Sequence, residues 1–423
     1  MAVIKKKETL KKLLIISFDL IRKGESKTSL AIGSIISYLK SDKRYGIEFE
    51  LENLSLNMFN LSKNSKVKDL HEKLLAYDFQ SVDYIAISAY VWNEFLLNDL
   101  IKYLRNELDF AGSVILGGYQ ISYSSNPKKE YPNAQYFISG HAEKALLDIV
   151  TGDEKNSKIQ GIVDFKKIPS PYLNGEVSTS YKQEKVRLET KRGCPYRCSF
   201  CAHRDLTFNK IYKHDLDKVF QEISFFKEKE VKKINIIDPI FNAGNDYLTV
   251  MEEMHRVNLS SLVSVQARFE TIQGDKGDRF LDLCEKLNFN LEFGLQTAIE
   301  EESMIINRKN NPDKIKKVMK KLKERQINYE ISLIYGLPLQ TVSSFQESIE
   351  FSLNHGCKDL TAFPLMLLKG TELYQQKEKF SLMEQKIGDY NIPVVTQSNT
   401  YSERDWYMMK SIAENLQVNE RIL

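Results

Sequence analysis

The chain has 423 residues, 42% hydrophobic and 28% charged, with 60 Lys and Arg against 57 Asp and Glu for a net charge of +3. This is enough material for two domains with sizeable cores, and a small net charge spread along the chain argues against a nucleic-acid or membrane partner. No apolar run approaches the length of a membrane span, and the charged residues 1–12 carry no apolar signal core, so a cytoplasmic protein is expected.

From Lys12 onward short apolar stretches alternate with amphipathic ones, the pattern of a parallel sheet with helices on both faces. Strands are expected at 13–18, 47–54, 84–88, 113–116 and 136–139, and helices at 28–39, 67–75, 95–108 and 142–150. Five strands in this succession predict a doubly wound, Rossmann-like domain over 1–155, with any ligand at the carboxyl ends of the strands. Those ends carry Ser88, Tyr90, Val91 and Trp92, then Gly117, Gly118, Tyr119 and Gln120, then Gly140 and His141. Glycines let backbone approach a ligand, and aromatic rings offer flat surfaces to a planar one. Turn-making and packing use the same residues.

Residues 156–184 read as a connector, because Pro169 and Pro171 flank Ser170 and favour an extended crossing. Beyond it, strands are expected at 186–190, 233–238, 262–267, 288–294, 329–335 and 360–364, with helices at 216–229, 247–257, 279–287, 314–325 and 343–355. Six successive strands joined by helices, without sequence repetition, predict a partial (β/α)6 TIM-type barrel over 185–373, working at its carboxyl edge. A small C-terminal extension, 374–423, contains an extended piece at 392–397 and a helix at 403–416. On that helix Trp406, Tyr407, Met408 and Met409 suit either a substrate entrance or core packing.

Three of the five cysteines, Cys194, Cys198 and Cys201, fall within eight positions after the first strand of the second domain. Thiolates at this density bind metal, and three without a fourth suit a cubane iron–sulfur cluster with one open iron. A disulfide with one thiol left over, or a zinc site completed by His203 or His214, are the alternatives. Cys284 and Cys357 stand apart and read as buried thiols in a reducing compartment.

The C-x3-C-x2-C spacing resembles the cluster loop of the radical S-adenosylmethionine (SAM) enzymes. The resemblance implies a [4Fe–4S] cluster on the three cysteines, with SAM chelating the open iron and cleaved on reduction to a 5′-deoxyadenosyl radical. It also implies SAM contacts from Phe200 near the adenine, Asp238 and Pro239 at the amino group, Arg268 at the carboxylate and Gln296 at the ribose. The turn Tyr335, Gly336, Leu337 and Pro338 would lie against the adenine, while Asn307 and Arg308 close over the cofactor or hold structure. Taken singly, each of these is also ordinary strand-end chemistry.

The first domain resembles the cobalamin-binding domain of the B12-binding radical SAM class, through residues 88–93, 117–120 and 140–143 and the Pro169–Pro171 phrase. It departs from classical B12 proteins in residues 19–24, which contain no histidine. The resemblance implies an enzyme with three cofactors, a [4Fe–4S] cluster, SAM and cobalamin, that C-methylates a natural product, peptide or cofactor precursor. A reductase such as flavodoxin or ferredoxin would serve it. Alternatives are a non-methylating radical SAM enzyme and an iron–sulfur electron-transfer or sensor protein. A tRNA methylthiolating enzyme would need further cysteines ahead of residue 194, and there are none.

Overall fold

The computed structural model describes residues 10–61, 67–203 and 210–417. They form two compact units, Met1–Ser178 with Gly388–Ile392, and Thr179–Ile387 with Pro393–Leu423. No helix among the described residues is long and apolar enough to cross a membrane.

The first unit is built on a six-stranded sheet in the order β2-β1-β3-β4-β5-β6. Its strands are β1 (Lys11–Asp19), β2 (Phe49–Asn57), β3 (Tyr84–Ser88), β4 (Ser113–Gly117), β5 (Tyr136–Gly140) and β6 (Lys158–Gly161), and every pair is parallel. The alternation within β1 accounts for a layer on each face. Leu14, Ile16 and Phe18 pack with Leu97, Leu100 and Leu104 of helix Glu94–Asn106. Leu13 and Ile15 join Ile32, Ile36 and Leu39 of helix Leu30–Ser41 and Leu146, Ile149 and Val150 of helix Ala142–Thr151. The strand order reverses between β1 and β3, which is where doubly wound sheets open a crevice for ligands.

Within residues 156–184, expected as a connector, the stretch to Ser178 supplies β6 and then continues as part of this unit, while 179–184 belong to the second. Phe165, Ile168, Tyr172 and Val177 are buried, and Val177 packs so closely on Gly33 that a Cβ there would lie 2.3 Å from its Cγ2. The sheet therefore has six strands rather than five. Lys158–Gly161 contains a single large apolar residue, so as an edge strand it is held by backbone pairing to β5 and leaves no periodic trace in the sequence. The expected helix at 67–75 is a 3-10 turn, Val67–Leu70, followed by one helical turn, His71–Leu74.

The second unit's sheet runs in sequential order through β7 (Lys185–Leu188), β8 (Lys233–Ile236), β9 (Leu262–Ala267), β10 (Phe289–Gln296), β11 (Asn328–Tyr335) and β12 (Asp359–Pro364), all parallel. Helices Leu216–Glu228, Asp246–Arg256, Gly274–Lys286, Pro312–Glu324 and Val342–Asn354 alternate with them. In β10, Phe289, Leu291, Phe293 and Leu295 are buried while Asn290, Glu292, Gly294 and Gln296 are half-buried, so one face of the sheet is apolar and the other polar. Helix Gly274–Lys286 starts ahead of the expected residue 279 because its first turn is charged and glycine-bearing. Gly277 there abuts Ile272, whose carbonyl carbon would be 2.6 Å from a Cβ.

In the C-terminal part, Met383–Ile387 pairs with Ile392–Gln397. Met383–Ile387 is largely exposed, which is why no hydrophobic pattern marks it. On helix Glu403–Gln417, Trp406 and Met409 are buried and Tyr407 and Met408 exposed, and the Trp406 ring lies 5.7 Å from that of Tyr335. Core packing thus accounts for the buried half of that aromatic group.

Candidate functional site

The cysteine loop leaves the carboxyl end of β7 and is closed at its base by a two-residue antiparallel pair, Lys191–Arg192 with Tyr212–Lys213. Gly193, at φ +92°, makes this closure possible, since a Cβ on it would stand 2.4 Å from the Lys210 carbonyl oxygen. Within the loop, the Cys201 N–H donates to the Cys198 carbonyl at 3.1 Å and the His203 N–H to Cys201 Sγ at 3.4 Å. Cys194, Cys198 and Cys201 are all free thiols, the first two buried and the third half-buried, so no disulfide forms among them. Burial pushes the Cys194 thiol up and the Cys201 thiol to about 11. Binding a cationic centre would release those protons. Three free thiols on one short loop are the type of donor set a cubane cluster takes, although no three His, Cys, Asp or Glu side chains among the described residues are grouped closely enough to hold a single metal ion.

The histidine alternatives fare differently. His214 is neutral because burial pushes its pKa down, and its Nε2 donates to Glu189 Oε2 at 2.9 Å while Lys218 Nζ stands 3.2 Å from its Nδ1. Both ring nitrogens are engaged away from the thiols. Burial pushes the Glu189 carboxyl up, but the Arg192 charge and the His214 hydrogen bond outweigh it and hold the group far below its usual range. Arg192 grips Glu189 through Nε at 2.9 Å and Nη2 at 2.8 Å, so this network braces the first residues of the loop.

The loop is also clamped from two later segments. The Ser199 N–H donates to the Ile306 carbonyl at 2.9 Å, Asn307 Nδ2 to the Arg197 carbonyl at 2.8 Å, and the Leu373 N–H to the Ser199 carbonyl at 2.9 Å. Arg308 follows, with Nη1 3.7 Å from Cys198 Sγ and Nη2 donating to the Gly294 carbonyl. Phe200, half-buried, lies within this clamped stretch.

The Asp238 carboxylate is engaged within the protein. Its Oδ1 accepts from the N–H groups of Thr190 at 2.8 Å and Lys191 at 3.1 Å, and its Oδ2 from the Thr190 hydroxyl. The carboxylate is therefore spent on joining the end of β8 to the start of the cysteine loop, and burial pushes it up to about 6. Lys191 completes the joint by donating Nζ to the carbonyls of Phe241 at 2.6 Å and Ala243 at 2.7 Å. Pro239, half-buried, follows directly. The rest of that phrase is also structural: Asn242 exchanges two 3.0 Å hydrogen bonds with the Arg268 backbone.

The other residues sit at strand ends as expected. Arg268 follows β9, with its guanidinium carbon 3.9 Å from the centre of the Tyr196 ring and Nε 3.1 Å from Glu270 Oε2. Gln296 ends β10 at φ +71°, after a register shift against β11. Gly336, at φ +88°, opens a turn fixed by Gln340, whose Oε1 accepts from the N–H groups of Gly336 at 2.7 Å and Leu337 at 3.1 Å. The side chains of Tyr335 and Leu337 are buried, Tyr335 against Phe345 and Trp406, and Gly336 and Pro338 are buried with them. Gln340 lies just beyond the 335–338 turn read from the sequence, and no local pattern marks its side chain as the staple.

In the first unit, Ser88 ends β3 with Tyr90, Val91 and Trp92 after it, Gly117 ends β4 with Gly118, Tyr119 and Gln120 after it, and Gly140 ends β5 with His141 after it, so the parallel sheet brings all ten to one edge. Tyr90 and Trp92 stack at 4.5 Å and 13°. Trp92 Nε1 donates to the Phe18 carbonyl at 2.8 Å and so straps β3 to β1 across the point where the strand order reverses. Gly118, at φ +98°, lies so close to Ala89 that a Cβ would meet its carbonyl oxygen at 2.8 Å. Gln120 is buried and hydrogen-bonded to Glu94, a core role rather than an open one. His141 packs edge-on against Phe165 at 4.9 Å. Asp19, at the end of β1, accepts from Ser17 at 2.6 Å and Ser55 at 3.0 Å.

Residues 188–352 match the model of the radical SAM superfamily. The cobalamin-dependent radical SAM methyltransferase TokK of Streptomyces tokunonensis is 25% identical over 332 residues, 69% of this chain and 48% of that protein. The 2-(S-pantetheinyl)-carbapenam-3-carboxylate methyltransferase of Streptantibioticus cattleyicolor is 23% identical over 310 residues, 65% of this chain and 45% of that protein. The chain thus spans about half the length of these two curated relatives. The radical S-adenosylmethionine methyltransferase TsrM of Kitasatospora setae, solved with cobalamin and a [4Fe–4S] cluster, shares the fold at TM-score 0.70 and 14% identity, over 96% of this chain and 89% of that one. OxsB, solved with aqua-cobalamin and SAM, does so at TM-score 0.69 and 12% identity, over 95% and 66%. The cysteine loop lies at the carboxyl end of a sequential parallel sheet and the family match covers the same residues, so the chain carries a radical SAM domain over 188–352.

Proposed function

We propose that the protein is a cobalamin-dependent radical SAM methyltransferase that moves a methyl group to an unactivated carbon of a small molecule or peptide. The observation that carries this reading is the loop of three free thiols at the carboxyl end of β7, clamped from residues 306–308 and 373. On this reading Cys194, Cys198 and Cys201 hold a [4Fe–4S] cluster, and the second sheet curls into a partial (β/α)6 barrel around the reaction space. When bound, the cluster delivers the electron that cleaves SAM, and cobalamin carries the methyl group.

The chain's own residues bind and orient. Phe200, the backbone at Asp238 and Pro239, Gln296 and the backbone of Gly336–Pro338 contact SAM, and Arg268 offers the cation for its carboxylate. Gln340 keeps the 336–338 turn rigid, so its backbone meets the adenine without reorganising. In the first unit Gly117, Gly118 and Gly140 leave backbone open to cobalamin beside the Tyr90–Trp92 stack. With no histidine in residues 19–24, that segment supplies no histidine to cobalt. The cobalamin unit then runs to Ser178 rather than 155, in keeping with the burial of residues 165–177. A flavodoxin- or ferredoxin-class donor would supply the electron.

Anaerobic reconstitution with iron, sulfide, cobalamin and SAM tests the reading. Expected are a [4Fe–4S] spectrum, 5′-deoxyadenosine on reduction, cobalamin retained after gel filtration, and a native-pathway product heavier by one methylene. Protein that forms 5′-deoxyadenosine but does not retain cobalamin would overturn methyl transfer and leave a non-methylating radical SAM enzyme.

A further inference from the structure

Arg308 is 9% exposed, yet no carboxylate among the described residues forms an ion pair with it. Its Nη1 donates to Cys198 Sγ at 3.7 Å, its Nη2 to the Gly294 carbonyl, and its Nε is buried with no partner. The backbone holds it there firmly. The Arg308 N–H donates to the Ser303 carbonyl at 2.8 Å, the preceding Ile305 and Ile306 carbonyls accept from Ser199, and Asn307 at φ +51° reaches back to the Arg197 carbonyl. A guanidinium is always charged, and burying it without a counter-charge is costly. The protein spends that cost beside a cysteine sulfur, so the missing negative charge must come from what the sulfur carries.

Three thiolates on a [4Fe–4S] core of charge 2+ give a net charge of about −1, and one-electron reduction makes it about −2, so a fixed cation at the sulfur favours the reduced state. We propose that Arg308 is the cluster's built-in counter-charge, a positioning residue that donates to Cys198 Sγ and raises the cluster's reduction potential so that a low-potential one-electron donor can reduce it. This rests on the cluster assignment above. The electron comes from that donor and resides on the iron–sulfur core.

The test is an EPR-monitored redox titration of full-length wild-type, R308Q and R308K proteins, reconstituted anaerobically and matched by iron and sulfide content. At a fixed poise, R308Q should show about tenfold less reduced relative to oxidised cluster than wild type, a midpoint lower by about 59 mV for a one-electron couple. R308K keeps the charge without the planar fork and should fall between them. An R308Q midpoint equal to or above wild type, with cluster content intact, overturns the proposal. So does an R308K midpoint equal to that of R308Q, because charge would then not be the cause; this comparison also stands if R308Q loads poorly and is measured on its loaded fraction. Failure of the wild-type protein to assemble a cluster would instead sink the functional reading on which the proposal rests.

Discussion

Replacing Asp238 separates a structural clamp from a cofactor ligand. Its carboxylate accepts from the Thr190 and Lys191 N–H groups at 2.8 and 3.1 Å and from the Thr190 hydroxyl, all buried, and it faces the buried Lys191 ammonium. In D238A those donors lose their acceptor, at about 1–3 kcal/mol for each buried group left unpaired. Removing one partner of a buried charge pair costs about 3–5 kcal/mol. The losses share one carboxylate and overlap, so about 3–5 kcal/mol is expected in all. D238N keeps the shape and one acceptor oxygen and should lose about 1–2 kcal/mol. The assay is urea unfolding of cluster-free protein without SAM, followed by circular dichroism on the transition that carries the second unit. Because burial pushes Asp238 up to about 6, the native state holds a proton that the unfolded chain releases between the ordinary carboxylate range and that value. This group's contribution to stability therefore falls as pH rises through the window, and D238N should lack that slope. A D238A protein within about 1 kcal/mol of wild type would refute the clamp, and a deficit seen only when SAM is added would return the carboxylate to the cofactor.

Three further substitutions probe the loop and its frame. G193A puts a Cβ 2.4 Å from the Lys210 carbonyl oxygen at a φ of +92°, so it should open the Lys191–Arg192 and Tyr212–Lys213 pair, seen as faster amide exchange there and lower iron loading. Q340L leaves the Gly336 and Leu337 N–H groups unpaired in a fully buried turn and should cost about 2–4 kcal/mol in chemical unfolding; a change under about 0.5 kcal/mol would mean the turn is fixed by something else. C198A should fold, since among the described residues the thiol's hydrogen bonding is limited to the long contact with Arg308, and yet lose the cluster absorbance and all 5′-deoxyadenosine formation. Retained SAM cleavage in C198A would remove Cys198 from the site.

Periodicity and spacing were sufficient to find most of the strands and the three cysteines. The continuous apolar run of β1, the alternation of β10 and regular helical faces are properties of short segments, and a chain that must bury apolar surface announces it locally. β6 and Met383–Ile387 escaped because one is a polar edge strand and the other is exposed, so neither has a buried face to leave a pattern. The expected helix at 279 began at Gly274, its first turn being charged and glycine-bearing.

The sequence by itself determined the chemistry at hand: three thiols in eight positions, glycines and aromatics after strands, and two runs of strand–helix alternation. Only the tertiary structure decided which polar groups are free to act. Asp238 sits at a strand end and reads as a ligand, but its oxygens are occupied by residues 47 and 48 positions earlier. Tyr335 and Gln340 belong to one phrase, yet one is core and the other a staple. Arg308 lies 110 positions from Cys198 and meets its sulfur only because a later loop folds back over the cysteines. A buried polar side chain acts through the partners it is given, and those partners are set by contacts between distant segments, which no local pattern in the chain records.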